Sequence, residues 1–365
     1  MDKAVEETAN REKWIDQAKT VREDDQLDAA RVHEWLREQV PDLPGELPEI
    51  RQFPGGASNL TYLLRYPDRD LILRRPPFGH KAKSAHDMVR EYRVQSALKP
   101  VYPVVPDMVA LCTDESVMGC DFYVMERIKG MILRSDLPEG MELDPQQARS
   151  LCTSVIDRLV DLHKVDYRAA GLEDLGKGAG YVERQIRGWS DRCEKSLTWN
   201  APRWRRVRDW LHANMPDDVG TCIIHNDFRF DNVVLDPEDP QRIIGVLDWE
   251  MATLGDPLME LGCVMSYWVQ DDDDRLYHML RRQPTNLPGM LRREEVVEYY
   301  CDRMNLRPDN WTFYEVYGLF RLAVIIQQIY YRYHHKQTRN PAFKTFWIAN
   351  HYLHHRSKRL IRRAG

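Results

Sequence analysis

An aspartate and an asparagine in the middle of the chain have the types and spacing needed for phosphate chemistry. Asp227 and Asn232 occupy the polar positions of an H-x-D-x-x-x-x-N segment that begins at His225. A carboxylate such as that of Asp227 can accept the proton of an attacking hydroxyl, and the amide oxygen of Asn232 can hold a hard cation. Phosphoryl transfer needs little beyond these parts and cations around the phosphates, so the segment predicts that reaction.

A short hairpin is expected to bring a second carboxylate to the same place. Asp248 lies sixteen residues after Asn232, and two strand-like runs, Val233–Leu235 and Ile243–Leu247, separate them. Antiparallel pairing of these runs would return Asp248 to the neighbourhood of Asn232, so that two oxygen ligands converge on one metal ion. A lone H-x-D is common and usually structural, whereas this whole series is much rarer.

The elements that must position these residues begin with a strand-rich region. Residues 1–25 are charged and weakly patterned, which predicts a frayed helix or an arm, and apolar spacing predicts a helix from Asp25 to Val40. Three strands, a helix and a fourth strand are predicted at Ile50–Phe53, Thr61–Tyr66, Leu71–Arg74, about Ala85 to Leu98, and Phe122–Glu126.

The second half of the chain has a mainly helical pattern from Asp144 onward. Its strongest helical segments are Ala148–His163 and Tyr181–Ser196. We therefore predict an α+β protein with a charged arm over residues 1–25, a small β-rich lobe over residues 26–127, and a large, mainly α-helical lobe over residues 128–365.

Composition argues against several classes of protein. A chain of 365 residues that is 43% hydrophobic can bury a large core, and its net charge of −5 gives no reason to expect nucleic acid as a partner. Seven scattered cysteines without a C-x-x-C pair indicate reduced thiols rather than disulfides or a zinc site. The most apolar run, Val316–Tyr331, is interrupted by Arg321 and two glutamines, and no signal peptide is apparent. We expect a cytoplasmic protein with no membrane span.

The central motifs resemble those of a known family. His225–Asn232, Asp248 and the segment Gly255–Gly262 are similar to the catalytic core of the aminoglycoside phosphotransferase-like kinases, relatives of choline and homoserine kinases. The resemblance extends over nearly the whole chain from about Asp25. It implies a bilobal, protein-kinase-like fold with ATP between the lobes, Asp227 as the catalytic base, and Asn232 and Asp248 as Mg²⁺ ligands.

Within the resemblance, some nearby residues have other roles. His225 and Asp256 are expected to brace the catalytic loop and the start of the next helix. Glu250 has two readings, an outer partner of the metal site or a solvated charge.

The small lobe should supply the grip on the nucleotide. Kinases place a lysine near the end of the third strand, paired with a glutamate on the next helix, and here Arg74 and Glu91 occupy those places. An arginine departs from the pattern, and an ordinary solvated charge at the strand end is the alternative.

Two further parts of the small lobe are assigned to the nucleotide. The turn Gly55–Asn59, with Ser58 and Asn59, fits a phosphate-covering loop with exposed amides, although a plain hairpin turn explains it nearly as well. Glu126 and Ile128 fall where the family's hinge meets adenine.

The acceptor hydroxyl is harder to predict. Only seven residues separate Asp248 from Asp256, too few for the activation segment of a protein kinase, which disfavours a protein substrate. An aminoglycoside would require an acidic cleft, for which Asp271–Asp274 is the candidate, and choline would require an aromatic cage. The candidate cage residues are Tyr267, Trp268, Trp311, Tyr314 and Tyr317.

A second resemblance points to another acceptor. Leu162–Leu172 and Gly180–Trp189 are similar to the branch of the family associated with acyl-CoA dehydrogenases, which implies phosphorylation of a hydroxyacyl-CoA, particularly of the 4-hydroxyacyl type, and a functional link to such a dehydrogenase. Residues 321–365 carry ten basic and no acidic residues, which suits an anionic CoA group. A kinase of an amino alcohol or aminoglycoside, and a non-catalytic nucleotide-binding scaffold, are the alternatives.

Overall fold

The structure, a computed structural model, describes residues 12–54, 59–77 and 87–364. Its first part is an antiparallel five-stranded sheet with the strand order β1-β2-β3-β5-β4. The strands are β1 Glu49–Gln52, β2 Leu60–Arg65, β3 Asp70–Arg75, β4 Met108–Cys112 and β5 Phe122–Glu126. Four of them agree closely with the predicted strands, and β4 is an additional strand at the sheet edge.

Aspartates set the start of the small-lobe helices α1 (Ala29–Gln39), α2 (Met88–Leu98) and α3 (Glu115–Met118). Asp28 accepts the backbone N–H of Arg31 at 3.1 Å, and Asp87 accepts that of Arg90 at 2.9 Å. These N-caps explain why α1 begins later than predicted, because a capping residue lies outside the helix that it starts. Helix α2 buries one face, and Glu91 lies on that face with 1% of its surface exposed.

Residues 12–25, which belong to the predicted charged arm, contact both lobes. Ile15 forms a β-bridge with Met131 of the large lobe, and Lys19 forms one with Gln52 of the sheet. Asp16 accepts from Arg134 at 2.8 Å, and the carbonyl of Asp16 accepts from Arg127 at 2.7 Å. The segment therefore lies along the hinge and lines the space between the lobes.

The large lobe is mainly helical. Its helices are α4 Pro145–His163, α5 Tyr181–Lys195, α6 Arg205–Ala213, α7 Pro257–Ser266, α8 Arg275–His278, α9 Arg293–Met304, α10 Trp311–His334 and α11 Phe346–Ala364. All ten residues of α7 are buried, and α7 packs closely on α10. The contact depends on glycine, because a Cβ at Gly262 would lie 2.3 Å from the carbonyl oxygen of Tyr314. In the part of the chain that the structure describes, no helix combines the length and apolarity of a membrane span.

Two small antiparallel sheets support the segment between α6 and α7. Strand β6 (Cys222–Ile224) pairs with β9 (Thr253–Gly255), and β7 (Val233–Leu235) pairs with β8 (Ile243–Val246). The H-x-D-x-x-x-x-N segment joins β6 to β7, and Asp248 follows β8. The α+β class and the division into a β-rich and a helical lobe are confirmed.

Candidate active site

The loop that carries Asp227 is fixed by a buried histidine. Nε2 of His225 lies 2.9 Å from the carbonyl oxygen of Leu247, and the backbone N–H of Asp227 points to Nδ1 at 3.3 Å. Nδ1 must therefore be the acceptor, so the proton is on Nε2 and is donated to Leu247. His225 has the bracing position expected of it, linking the loop to the end of the hairpin.

Asn226 has an unusual backbone conformation that its neighbours hold in place. Its φ of 67° lies in the left-handed region, which few residues other than glycine adopt. Its backbone N–H donates to Glu260, and its side-chain amide donates to Met251 O at 3.0 Å. The hydroxyl of Tyr181 donates to its side-chain oxygen at 3.2 Å, and Arg321 donates to its carbonyl at 3.0 Å. Contacts from four directions compensate for the backbone strain.

Glu260 is the buried carboxylate at the centre of this support. It accepts the backbone N–H of His225 at 3.0 Å and contacts Nε2 of His163 at 2.7 Å. Asp256 caps α7, as expected, by accepting the backbone N–H groups of Leu258 and Met259 at 2.9 Å each. The loop therefore rests on α7 and α4 through charged hydrogen bonds.

Asp227 lies between an arginine and the predicted metal-binding amide. Its Oδ2 is 3.0 Å from Nη2 of Arg229, whose Nε is 3.2 Å from Asp231. Nδ2 of Asn232 donates to the carbonyl of Asp227 at 2.8 Å and to Oδ2 of Asp227 at 3.2 Å. Because both of these atoms are acceptors, the amide nitrogen of Asn232 faces Asp227 and its oxygen faces away.

The hairpin returns Asp248 to Asn232, as the spacing predicted. The backbone N–H of Leu247 donates to the carbonyl of Asn232 at 2.8 Å, and Val233 pairs with Val246. Asp248 itself has a φ of 70°. The two oxygen-bearing side chains therefore lie at the same end of the hairpin.

Arg74 joins both lobes at this point. Its Nη1 lies 3.2 Å from Oε1 of Glu91, and its Nη2 donates to Oδ1 of Asp248 at 2.9 Å. The Arg74 and Glu91 side chains are 10% and 1% exposed, so neither is a solvated strand-end charge.

Burial and charge act in opposite directions on these groups. Burial alone would raise the pKa of Asp248, but the charge and hydrogen bond of Arg74 outweigh it and hold that pKa below its usual value. For Glu91, burial outweighs the attraction of Arg74, and the pKa is raised. Burial also raises the pKa of Asp231 despite Arg229. The contacts to Arg74 thus favour an ionised Asp248.

A cleft of about 210 Å³ lies between the sheet and the hairpin. Its small-lobe wall includes Ile72, Arg74 and Met125, and its large-lobe wall includes Asn232 and Asp248. Glu126 and Ile128 line it at the hinge. Oε1 of Glu126 accepts from Nε of Arg69 at 3.0 Å, and the backbone N–H of Glu126 donates to the carbonyl of Asp107 at 2.9 Å.

The turn assigned to phosphate lies mostly outside the described residues, which include Asn59 but not Ser58. Asn59 is 1% exposed and donates from its side chain to Glu250 at 2.9 Å. Glu250 is therefore not a freely solvated charge. Its carboxylate links the large lobe to Asn59 of the small lobe.

Several residues of the site were missed by sequence reasoning. Arg229 and Asp231 lie inside the motif that was recognised, and their charges next to Asp227 were the available signal. Glu260 and Arg321 lie on α7 and α10, where only their polarity within apolar helices marks them.

Comparison with known proteins agrees with this fold. Residues 49–296 match the model of the phosphotransferase enzyme family, and the chain belongs to that family. It is a family of enzymes that transfer phosphate, and the fold is that of a small-molecule kinase.

One curated relative and two solved structures illustrate what the chain is similar to. The chain is 35% identical over 285 residues to mouse acyl-CoA dehydrogenase family member 10, covering 78% of this chain and 26% of the mouse protein. It is 28% identical to a solved Ralstonia eutropha protein assigned to the aminoglycoside phosphotransferases, with a TM-score of 0.79 over 93% of this chain and 99% of that one. Choline kinase from Cryptosporidium parvum shares the fold, with 11% identity and a TM-score of 0.61 over 92% and 97% of the two chains. The chain spans 26% to 41% of the length of the curated relatives it matches.

Proposed function

We propose that this protein transfers the γ-phosphoryl group of ATP to the hydroxyl of a hydroxyacyl-CoA thioester. The observation that carries the kinase assignment is the meeting of Asp227, Asn232 and Asp248 with Arg74 at one end of the cleft between the lobes.

The residues at the cleft suit Mg²⁺, which the resemblance implies. The amide oxygen of Asn232 faces away from Asp227. Oδ1 of Asp248 accepts a hydrogen bond from Arg74, which leaves Oδ2 of Asp248 to bind the ion. Within the described residues, His, Cys, Asp and Glu side chains form no cluster of three that could hold a metal alone. Mg²⁺ usually takes one or two protein oxygens, and phosphate and water complete its shell, so the pair is sufficient. When bound, the ion would neutralise charge on the phosphates.

Arg74 is suited to hold the phosphates from the small lobe. It is already oriented by Glu91 at 3.2 Å, and a guanidinium can bind a carboxylate and a phosphate through separate N–H groups. The backbone of Glu126 and Ile128 would receive the base at the hinge.

Asp227 would act on the acceptor. Its carboxylate accepts the proton of the hydroxyl as the hydroxyl oxygen attacks the γ-phosphorus and the bond to the leaving ADP oxygen breaks. Arg229 and Asn232 fix the rotamer of Asp227 through contacts to its Oδ2 at 3.0 and 3.2 Å. The other carboxylate oxygen then remains for the hydroxyl.

The structure argues against a polycationic acceptor. Asp273 is buried between Arg293 and Arg356, and Asp272 is paired with Arg292. Asp274 caps α8 and accepts from Tyr352 at 2.7 Å. The acidic run Asp271–Asp274 is thus largely neutralised by the protein itself and offers little charge to an aminoglycoside.

An aromatic cage for choline is also disfavoured. Trp268, Tyr314 and Tyr317 are each 1–2% exposed and belong to the main core. The ring of Tyr267 is covered by Arg229, whose Cζ lies 4.7 Å from the ring centroid. A cation would have to displace a guanidinium from that ring.

The hydroxyacyl-CoA acceptor is supported by the names of the relatives, several of which are acyl-CoA dehydrogenase family members. Part of the basic C-terminal region is buried. Arg356 belongs to the basic C-terminal region that was expected to meet CoA, yet it is 6% exposed and lies 3.1 Å from Asp273. Any CoA contact in this region must use exposed residues such as Arg359. We infer a cytoplasmic location from the seven scattered cysteines, which indicate reduced thiols.

The decisive experiment is a coupled assay of ADP release with a panel of acceptors. The panel contains 3-, 4- and 5-hydroxyacyl-CoA thioesters, the free hydroxy acids, choline and kanamycin, each with Mg²⁺-ATP. We expect turnover of a hydroxyacyl-CoA and identify the product by mass as the phosphate ester. Phosphorylation of choline or kanamycin alone would refute the acceptor class and leave the kinase intact, whereas ADP release with no acceptor at all would indicate an ATPase.

A further inference from the structure

Among the residues that the structure describes, Arg321 has no acidic partner although it is a buried cation. It lies in the middle of α10 and is 5% exposed. No carboxylate oxygen of the described residues lies within 4.0 Å of its guanidinium nitrogens. Several other arginines with little exposure differ from it in this respect. The buried Arg74 and Arg356 and the half-buried Arg229 and Arg293 each contact at least one carboxylate.

The neighbours of Arg321 cannot supply the missing charge. Burial is the largest influence on Tyr181, Tyr317 and Cys263 and raises the pKa of each, so all three stay neutral near pH 7. The indole of Trp189 lies 5.3 Å from Cζ of Arg321 and gives a cation–π contact. A neutral ring compensates only partly for the loss of water around a buried charge.

Arg321 is also adjacent to the proposed catalytic base. Its Nη2 donates to the carbonyl of Asn226, which is bonded directly to the backbone nitrogen of Asp227. Asp227, Cys263 and Tyr267 line one crevice behind the loop, and Arg321 contacts Cys263. The guanidinium of Arg321 is therefore joined to the backbone of Asp227 through the Asn226 carbonyl, and it packs on Cys263 of the same crevice.

We propose that Arg321 is an acceptor-binding residue that donates hydrogen bonds to an acyl oxygen of the hydroxylated substrate. This inference rests on the proposed function and makes it narrower. A carboxylate, or the carbonyl oxygen of a thioester, would give Arg321 the negative or partly negative partner that it lacks among the described residues. Charge-assisted hydrogen bonds of this kind are strong when they are buried. The acceptor would then need its acyl oxygen only a few bonds from its hydroxyl.

A second role for Arg321 is visible in the structure, and the test must separate the two. Its bond to Asn226 could simply support the strained loop, as the bond from Tyr181 to the same residue does at 3.2 Å. Arg321→Gln removes the charge and keeps an N–H donor. Tyr181→Phe removes one loop contact without changing charge, and it is the matched control.

The experiment compares KM and kcat of the wild type and both variants for three acceptors of equal chain length: a hydroxyacyl-CoA, the free hydroxy acid, and a diol with no acyl oxygen. For Arg321→Gln we expect KM for the preferred acyl acceptor to rise by about 10- to 100-fold, the size expected for losing a hydrogen bond to a charged group. KM for ATP should change little, and the diol should be affected much less than the acyl acceptor. Tyr181→Phe should affect acyl and diol acceptors equally.

The outcomes distinguish the possible failures. An equal loss for acyl acceptors and diol in Arg321→Gln, matched by Tyr181→Phe, would assign Arg321 to loop support and overturn the inference. If Arg321→Gln raises KM more for the thioester than for the free acid, the partner of Arg321 is the thioester carbonyl. A larger rise for the free acid would identify the carboxylate as the partner. If the wild type phosphorylates the diol and no acyl acceptor, the proposed acceptor class fails first and the inference fails with it.

The melting temperature of Arg321→Gln gives an independent readout. If Arg321→Gln and Tyr181→Phe have similar melting temperatures, a larger rise of KM for the acyl acceptor in Arg321→Gln cannot be attributed to a general loss of loop support. A rise of KM that follows the loss of melting temperature in both variants would overturn the inference.

Discussion

Arg74 of the small lobe donates a 2.9 Å hydrogen bond to Asp248 of the large lobe, while its other terminal nitrogen lies 3.2 Å from Glu91. One guanidinium therefore couples the helix of the small lobe to the proposed metal ligand of the large lobe. A nucleotide that enters the cleft meets an arginine that is already oriented from both sides.

This arrangement leads us to expect strong coupling between Arg74 and Glu91. Arg74→Ala and Glu91→Ala should each raise KM for ATP, and the double variant should be little worse than the worse single variant, because each loss already breaks the same unit. The exposed pair Arg93 and Asp174 serves as a control cycle and should show no coupling in KM. Simple additivity for Arg74 and Glu91 would show that they do not act together on the nucleotide.

The charge of Asp227 should matter for the chemical step more than for binding. We expect Asp227→Asn to lower kcat by about 100-fold or more, since an amide cannot accept the proton of the hydroxyl, and to leave the Kd for ATP nearly unchanged. Asp231→Asn makes the same chemical change on the other side of Arg229 and should cost much less. Steady-state kinetics and calorimetric ATP titration measure the two effects, and a near-normal kcat for Asp227→Asn would remove the assignment as base.

The sequence was most informative where contacts are local. Asp227, Asn232 and Asp248 lie in one loop and one hairpin, and antiparallel pairing alone returns Leu247 to Asn232 at 2.8 Å. Arg321 reaches Asn226 across 95 residues, and no local pattern shows which face of a buried helix meets a distant loop.

Charge composition misled the prediction at Arg356 for a related reason. A count of basic residues does not distinguish a solvated cation from one paired inside the fold. The β6–β9 pair was missed because three-residue strands carry too little periodicity to be detected.

The burial of Arg356 has a consequence for stability. Arg356→Ala should lower the free energy of unfolding by about 3 kcal/mol, because it leaves part of the charge of the buried Asp273 unpaired, although Arg293 still contacts that aspartate. Arg359→Ala, on the exposed side of the same helix, should change it by less than about 0.5 kcal/mol. Urea unfolding measures both variants. A rise in KM for acyl-CoA in Arg356→Ala without any loss of stability would contradict the structural role.

His354 should make the protein sensitive to mild acid. Its ring packs edge-on against Trp204 at 4.9 Å, and burial, followed by the charge of Lys358, lowers its pKa from 6.5 to about 4. Since the unfolded chain then binds a proton more readily than the folded one, the free energy of unfolding should fall as pH drops from about 6.5 towards 4.5, by roughly 1–2 kcal/mol after allowance for partial exposure. His354→Asn should lose less stability over this range, whereas the exposed control His355→Asn should follow the wild type in urea unfolding at each pH. Identical pH profiles for all three proteins would show that His354 is not the group responsible.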